Sequence, residues 1–505
     1  MKTTVCIAAN MQDPLRNALM HGLLSSLLLL VSLFGFSSTI IAVETAETTE
    51  TSIADLLQHR HFDEAIGLMN QKADVNRQQA DGMTPLHWAL HHGQSEVVRS
   101  LLALGADPNL ANRYGIPPLW IACCNGDWEN AKEVMDAGGD ANAKLRGGET
   151  LLMTASRTGS VQIVQLLIKN GADIEAVERS GQTALMWAAA EGNSAVVETL
   201  LNLGADADVA LPSGFNAFFF AARQGHTETV FKLLQRGFDI NMEMRPRRKA
   251  SKGPNAGTTA LMLAIENGHF QLACELLEQG ADPNCVATGY APLHAITWVR
   301  KPIRGDGDPP PTGSGNITSL QLARCLLQSG ADPNIRHKKH STRRSGLNRT
   351  DATPLLLAAE TGDLALIELL VEFGGDLQLV NCDNVTPLLA ATGIGVLSDG
   401  DESAGTEEDA IRTSEYLIES GADINAVDDA GKTVMHGAAF KSWPTLIERL
   451  DQWGASSKIW NQKNEDGWTP LMIAQGQRPG NFRPSEVTIA ALQKILQRDF
   501  TGSGP

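Results

Sequence analysis

The chain has 505 residues, 43% hydrophobic and 20% charged, a globular balance that excludes a disordered polymer. One core rarely grows past about 250–300 residues, so this length calls for several domains or a repeat array. Acidic residues outnumber basic ones 58 to 41, and the net charge of −17 repels polyanions in general, so no nucleic-acid partner is expected.

Lys2 and Arg16 precede an apolar run from Leu23 to Ala42, and the acidic, Thr-rich stretch VETAETTETS follows. Basic, apolar, small and then polar residues are the order of a secretory signal peptide, here over residues 1–42, with Met11 as an alternative start. About 20 apolar residues also span a bilayer, so an uncleaved anchor is the rival reading. No cysteine closes the run, which argues against a lipoprotein. The expected location is periplasmic or extracellular after cleavage, and membrane-anchored without it. Residues 43–52 read as a polar linker and 501–505 as a disordered tail.

Between 53 and 500 the sequence repeats. Gly82, Gly115, Gly148, Gly181 and Gly214 are each 33 residues apart, and Gly-Ala-Asp or a close variant recurs at Gly105, Gly138, Gly171, Gly204, Gly237, Gly280, Gly330 and Gly421. In one unit, Thr84 suits a helix cap and Pro85 the first helical position, where its missing N–H costs nothing. Leu86, Ala89 and Leu90 form a short apolar stripe, and Gly93 stops that helix. A second helix carries Val97, Val98, Leu101 and Leu102 on one face and ends at Gly105. Neither helix buries its stripe alone, but stacked copies bury both in one continuous core.

TPLH-x-A-x-x-x-G followed by LL-x-x-GA-D-x-N at this step resembles the ankyrin repeat. Further copies begin at Thr353-Pro354-Leu355, Thr386-Pro387-Leu388 and Thr469-Pro470-Leu471, and at Ala291-Pro292-Leu293-His294. The resemblance implies an all-α solenoid of about twelve stacked helix–turn–helix units with short β-turn or hairpin connections. Degenerate units cap it near 51–81 and at Val487–Leu496. It further implies a non-enzymatic scaffold for another protein, gripped on a concave face of turn tips and first helices. The tip positions in register are Arg113, Tyr114, Ile116, Arg146, Arg179, Gln182, Phe215 and Tyr290. The first-helix positions include His91, His92, Cys124, Arg157, Glu191 and Arg223. Arginine beside exposed aromatics is what binding hot spots favour. Trp88, Trp187 and Phe220 fall where the family packs its core, and Phe218-Phe219 makes its unit irregular. The resemblance gives His87, His294 and His436 hydrogen bonds between neighbouring turns, not catalysis.

The period breaks at insertions 243–256, 299–318, 336–350 and 395–410. Three are basic: Arg245, Arg247, Arg248, Lys249 and Lys252 in the first; Arg300, Lys301 and Arg304 in the second; Arg336, Lys338, Lys339, Arg343, Arg344 and Arg349 in the third. Successive units are neighbours, so these loops are expected to form a cationic rim. It is either a set of solvated loops or a contact for an anionic polymer, an acidic protein segment or lipid headgroups. The fourth insertion is acidic, through Asp399, Asp401, Glu402, Glu407, Glu408 and Asp409, and is long enough to fold back on the rim.

Cys123, Cys124, Cys274, Cys285, Cys325 and Cys382 form no CxxC and no zinc spacing. Several fall on small apolar helix positions, so free thiols are favoured, although Cys274 and Cys325 lie on neighbouring second helices and an oxidising compartment allows a disulfide. No nucleophile elbow, P-loop, GxGxxG or HExxH occurs, so neither a catalytic centre nor a cofactor is expected. His59 and His92 lack a third metal ligand, and the short acidic loops lack a full Ca²⁺ ligand set. Arg304-Gly305-Asp306 and the sequons at Asn316, Asn348 and Asn384 are short enough to arise by chance.

Overall fold

A computed structural model describes residues 51–247, 255–301, 313, 315–338, 347–395, 405–477 and 483–501. The contacts below lie within the compact unit that begins at Ser52.

Among the described residues the chain forms twelve helix pairs. Units 1 to 4 are Ile53–Gln58 with Phe62–Asn70, Pro85–His91 with Ser95–Ala103, Pro118–Asn125 with Trp128–Asp136, and Leu151–Thr158 with Val161–Lys169. Units 5 to 8 are Ala184–Ala190 with Ser194–Asn202, Ala217–Gln224 with Thr227–Gln235, Ala260–Glu266 with Phe270–Glu278, and Pro292–Arg300 with Ser319–Gln328. Units 9 to 12 are Pro354–Glu360 with Leu364–Glu372, Pro387–Ala391 with Glu407–Glu419, Val434–Lys441 with Pro444–Gln452, and Pro470–Ala474 with Glu486–Thr501. A short helix, Ser457–Trp460, lies between the last two units. No strand forms among the described residues, only one isolated bridge between Lys144 and Thr150. No described helix is long and apolar enough to cross a membrane.

Helices this short are marginal alone, so caps and packing hold them. The hydroxyls of Thr84, Thr150, Thr183, Thr259, Thr353, Thr386 and Thr469 each accept an N–H from the first turn of their helix. In unit 6, Asn216 takes over that role, and Phe218 and Phe219 are buried in a regular helix. First helices pack on first helices and second helices on second, giving two layers. The second layer is thinnest between units 6 and 7, beside the 243–256 insertion. Leucine, alanine and valine fill the space between the layers in one continuous core, and Trp88, Trp187 and Phe220 lie half-buried against it.

Side chains stitch each unit to the next. His87 Nε2 reaches the Ile116 carbonyl at 2.9 Å, His294 that of Ala352 at 3.1 Å and His436 that of Trp468 at 3.3 Å. On the opposite turns, the Asn76 amide donates to the Gly105 carbonyl while its Oδ1 accepts the Asp107 N–H. Asn109, Asn142, Asn284 and Asn334 repeat that rung. Gly192 and Gly225 are left-handed, and a Cβ there would meet the rings of His226 and His269 at 2.5 and 2.4 Å.

The acidic insertion ends earlier than expected. Glu407, Glu408 and Asp409 form the first turn of the helix Glu407–Glu419, capped by Thr406, because carboxylates are favoured at the positive end of a helix. The C-terminal helix extends beyond the expected cap to Thr501. Cys274 and Cys325 are thiols joined by a side-chain hydrogen bond between the second helices of units 7 and 8.

Candidate interaction surface

The inter-unit turns project as an edge, each tip hydrogen-bonded to the one before. Arg113 N–H donates to the Asp81 carbonyl at 2.9 Å, Arg179 N–H to that of Gly147 at 3.1 Å and Arg247 N–H to that of Pro212 at 2.9 Å. The Arg146 guanidinium donates to the Arg113 carbonyl at 2.5 Å. Arg113, Arg146 and Arg179 are exposed, and none is ion-paired among the described residues. The nearby carboxylates are engaged in their own turns. Asp81 accepts the Met83 N–H, Glu178 accepts those of Ser180 and Gln182, and Glu149 accepts the Thr154 hydroxyl. Tyr114 is 60% exposed beside this row. The register reading passes over Val177, which is 50% exposed two residues before Arg179; its equivalence to Ala111 and Lys144 marks it as a tip position.

Other expected tip residues sit elsewhere. Phe215 is only 4% exposed, because it packs on Phe220 and Phe219 with ring centroids 5.1 and 6.4 Å away. It is therefore a floor under Arg223, whose guanidinium lies 5.7 Å above its ring, and not a contact residue itself. Tyr290 is half-buried, donates its hydroxyl to Glu266 at 2.8 Å and packs on Trp298 and His337. Burial beside that carboxylate pushes its phenol pKa up. Ile116 and Gln182 are half-buried one step behind the edge. Arg157 is half-buried with its guanidinium 5.5 Å over Trp187. Trp88 donates to Gln79 at 2.7 Å and stacks on His92, with His91 exposed beside it; Glu191 is exposed at the end of the first helix of unit 5. Burial pushes the Cys124 thiol up to about 12, which keeps it protonated and unreactive at neutral pH.

Part of the basic rim is engaged within the fold where it is described. Arg300 makes a two-pronged ion pair with Asp363 at 2.7 and 3.0 Å and a bond to Ser319. Lys301 donates to the Thr361 and Gly362 carbonyls and lies 3.7 Å from Asp409. Burial would raise the Asp409 carboxyl, but hydrogen bonds from Thr406, the charge of Lys301 and the Arg412 guanidinium together hold it low. These two residues thus bolt units 8, 9 and 10 together, because partly buried charges need partners. Arg336 caps the Asp351 and Val380 carbonyls. Arg245, Arg247 and Lys338 are exposed. Arg248, Lys249, Lys252, Arg304, Lys339, Arg343 and Arg344 lie outside the described residues.

No group of three metal-ligating side chains occurs among the described residues. A shallow depression between the second helices of units 8 and 9 is bridged by Arg324 and Glu372, with both N–O distances 2.8 Å.

A family model described as ankyrin repeats in three copies matches residues 15–112, 45–145, 119–210 and 203–287, together more than half of the chain. The chain belongs to the ankyrin-repeat family. Ankyrin relatives include human ankyrin repeat and SOCS box protein 16, 32% identical over 252 residues, which are 46% of this chain and 51% of that protein. Neurogenic locus notch homolog protein 1 of Xenopus tropicalis is 29% identical over 227 residues, 44% of this chain and 8% of that protein. Phosphocholine transferase AnkX of Legionella pneumophila is 25% identical over 251 residues, 45% of this chain and 25% of that protein. The match thus spans about half of the first relative and far less of the others. Ankyrin repeats generally mediate protein–protein interaction.

Proposed function

We propose that this chain is an exported, non-enzymatic scaffold that binds another protein across its turn tips and the adjoining first helices. The observation that carries the reading is the row Arg113, Arg146 and Arg179 with Tyr114 beside it. These arginines are exposed and ion-pair-free among the described residues; Arg113 and Arg179 are held by backbone hydrogen bonds between tips, and Arg146 by its guanidinium on the Arg113 carbonyl. A pre-ordered row loses little conformational freedom on binding, and arginine and tyrosine are the residues that supply most interface energy. Export rests on the signal-like order of residues 1–42 and points to a bacterial envelope or culture fluid; those residues lie outside the described part of the chain.

The test is capture of a partner by the full chain at low and high salt, with wild type beside a variant carrying Arg113→Ala, Tyr114→Ala and Arg146→Ala. Loss of a defined protein at both salts, with an unchanged melting curve, supports the reading. Unchanged retention removes this edge from consideration. Retention of polyanion or lipid alone, lost at high salt, transfers the function to the exposed Arg245, Arg247 and Lys338 and the loops around them. Mass spectrometry of the N-terminus of secreted material reads the cleavage expected near Ala42.

A further inference from the structure

Successive second helices meet at a recurring pair of positions. The residue six before one unit's closing glycine faces the residue five before the next unit's. Arg99 lies 3.8 Å from Glu133 between units 2 and 3, which close at Gly105 and Gly138. Glu198 lies 2.5 Å from Lys232 between units 5 and 6, which close at Gly204 and Gly237. Units 7 and 8 close at Gly280 and Gly330, and the same two positions hold Cys274 and Cys325. Their thiols share a side-chain hydrogen bond, so two short side chains meet here where long charged ones meet elsewhere. The other described cysteines are off this register: Cys123 and Cys124 lie on a first helix, and Cys285 and Cys382 lie outside the helices.

The spacing of packed helices suits a covalent bond at such a pair. Helix axes lie about 8–10 Å apart and carry their Cα atoms at a radius of about 2.3 Å. Cα atoms on the line of centres therefore stand about 3.5–5.5 Å apart, and those beside it somewhat farther. A disulfide takes Cα separations of about 4.4–6.8 Å. The two sulfurs also differ in access. Cys274 is 4% exposed, and burial pushes its thiol pKa up, whereas Cys325 is only half-buried. Cys325 is therefore the sulfur that a solvent-borne oxidant meets first.

We propose that Cys274 and Cys325 form a redox modification site, in which a low-molecular-weight disulfide oxidises the pair to a cystine that latches unit 8 onto unit 7. The Cys325 sulfur attacks one sulfur of the small disulfide, whose other half leaves as a thiol with the Cys325 proton. The Cys274 sulfur then attacks the Cys325 sulfur of this mixed disulfide, and the second half leaves as a thiol with the Cys274 proton. Two protein thiols are oxidised and one small disulfide is reduced to two thiols. The bond closes a loop that holds the helix Pro292–Arg300 and the 299–318 insertion, which separates the two helices of unit 8. A long interruption weakens the hold of the second helix on its own unit, and the cystine ties that helix to unit 7 instead. An oxidising compartment keeps the linked form, and a reducing one keeps the thiols.

The experiment treats the folded full chain with oxidised glutathione, blocks remaining thiols and maps the peptides without reduction. Cys274 should be found joined to Cys325, with Cys285 and Cys382 largely unjoined. Hydrogen exchange in Phe270–Glu278 and Ser319–Gln328 should slow by about ten-fold or more on oxidation and recover with dithiothreitol. Cys325→Ser, checked for folding by a circular dichroism melt, should show neither the link nor the slowing. Glutathione retained on Cys325, or Cys325 joined to other cysteines as often as to Cys274, overturns the pairing. Unchanged exchange in the linked chain, or equal slowing in Cys325→Ser, overturns the latch. The comparison of oxidised with reduced wild type needs no variant, so a misfolded Cys325→Ser leaves the test intact. Partner capture has no part in these readouts, so this site stands or falls apart from the scaffold reading.

Discussion

Acid should loosen this array at its histidines. His294 and His436 are buried, with pKa values lowered by burial to about 3 and about 4. The geometry explains why the neutral ring is required: Nε2 faces a carbonyl of the next unit, while Nδ1 faces the backbone N–H of Ala291 or Thr433 at 3.1 and 3.2 Å. A proton on Nδ1 would oppose that N–H. A histidine pKa depressed by folding makes the unfolded chain the better proton acceptor, so the stability it contributes is complete above about pH 6.5. That stability falls as pH drops towards the folded value. Between pH 7 and pH 5, an unfolded pKa near 6.5 and folded values of about 3 and 4 imply a loss of about 2 kcal/mol for each histidine. His87 has the same arrangement, and burial lowers its pKa too. Urea melts at pH 7, 6 and 5 read the total. Hydrogen exchange localises the change, because a repeat array need not unfold as one unit. The double variant His294→Gln and His436→Gln should start less stable and lose about 4 kcal/mol less over the same range. Equal pH slopes for variant and wild type would refute the reasoning.

Three further outcomes follow from particular contacts. Arg300→Ala leaves the Asp363 carboxylate, 4% exposed, without its ion pair, and should cost about 3–5 kcal/mol in a urea melt. Gly192→Ala and Gly204→Ala both place a Cβ at positive φ, a strain of about 1–2 kcal/mol, but only the first also meets a ring atom, His226 Nδ1 at 2.5 Å. Gly192→Ala should therefore lower the melting temperature more than Gly204→Ala, and an equal fall would show that the histidine ring simply moves. Asp208 stands where other turns carry the asparagine rung, and a carboxylate has no N–H to give the next carbonyl. Asp208→Asn should stabilise by about 0.5–1.5 kcal/mol, and no change in the melt would mean that the rung does not form there.

Much of the architecture is legible because its causes are local. Thr84 caps, Pro85 opens and Gly93 ends a helix by chemistry that acts within a few residues, and the 33-residue step repeats it. The tip arginines are legible for the same reason: Arg113, Arg146 and Arg179 differ from Ala80 and Pro212 at one register position. Phe215 misleads because the register assigns it to a tip, while only the neighbouring rings of Phe219 and Phe220 explain its burial. Arg300 and Lys301 of the basic rim mislead in a similar way. Charge content in an insertion is visible in sequence, but the 63-residue separation of Arg300 from Asp363 carries no local signal of their pairing.

The sequence by itself determined the repeat and the stripes that stack, since periodicity and capping are properties of short segments. Tertiary structure alone decided which cations stay free. Arg300 and Lys301 are drawn inward because partly buried charge must be paired, whereas Arg113, Arg146 and Arg179 are exposed and the carboxylates near them are engaged in their own turns.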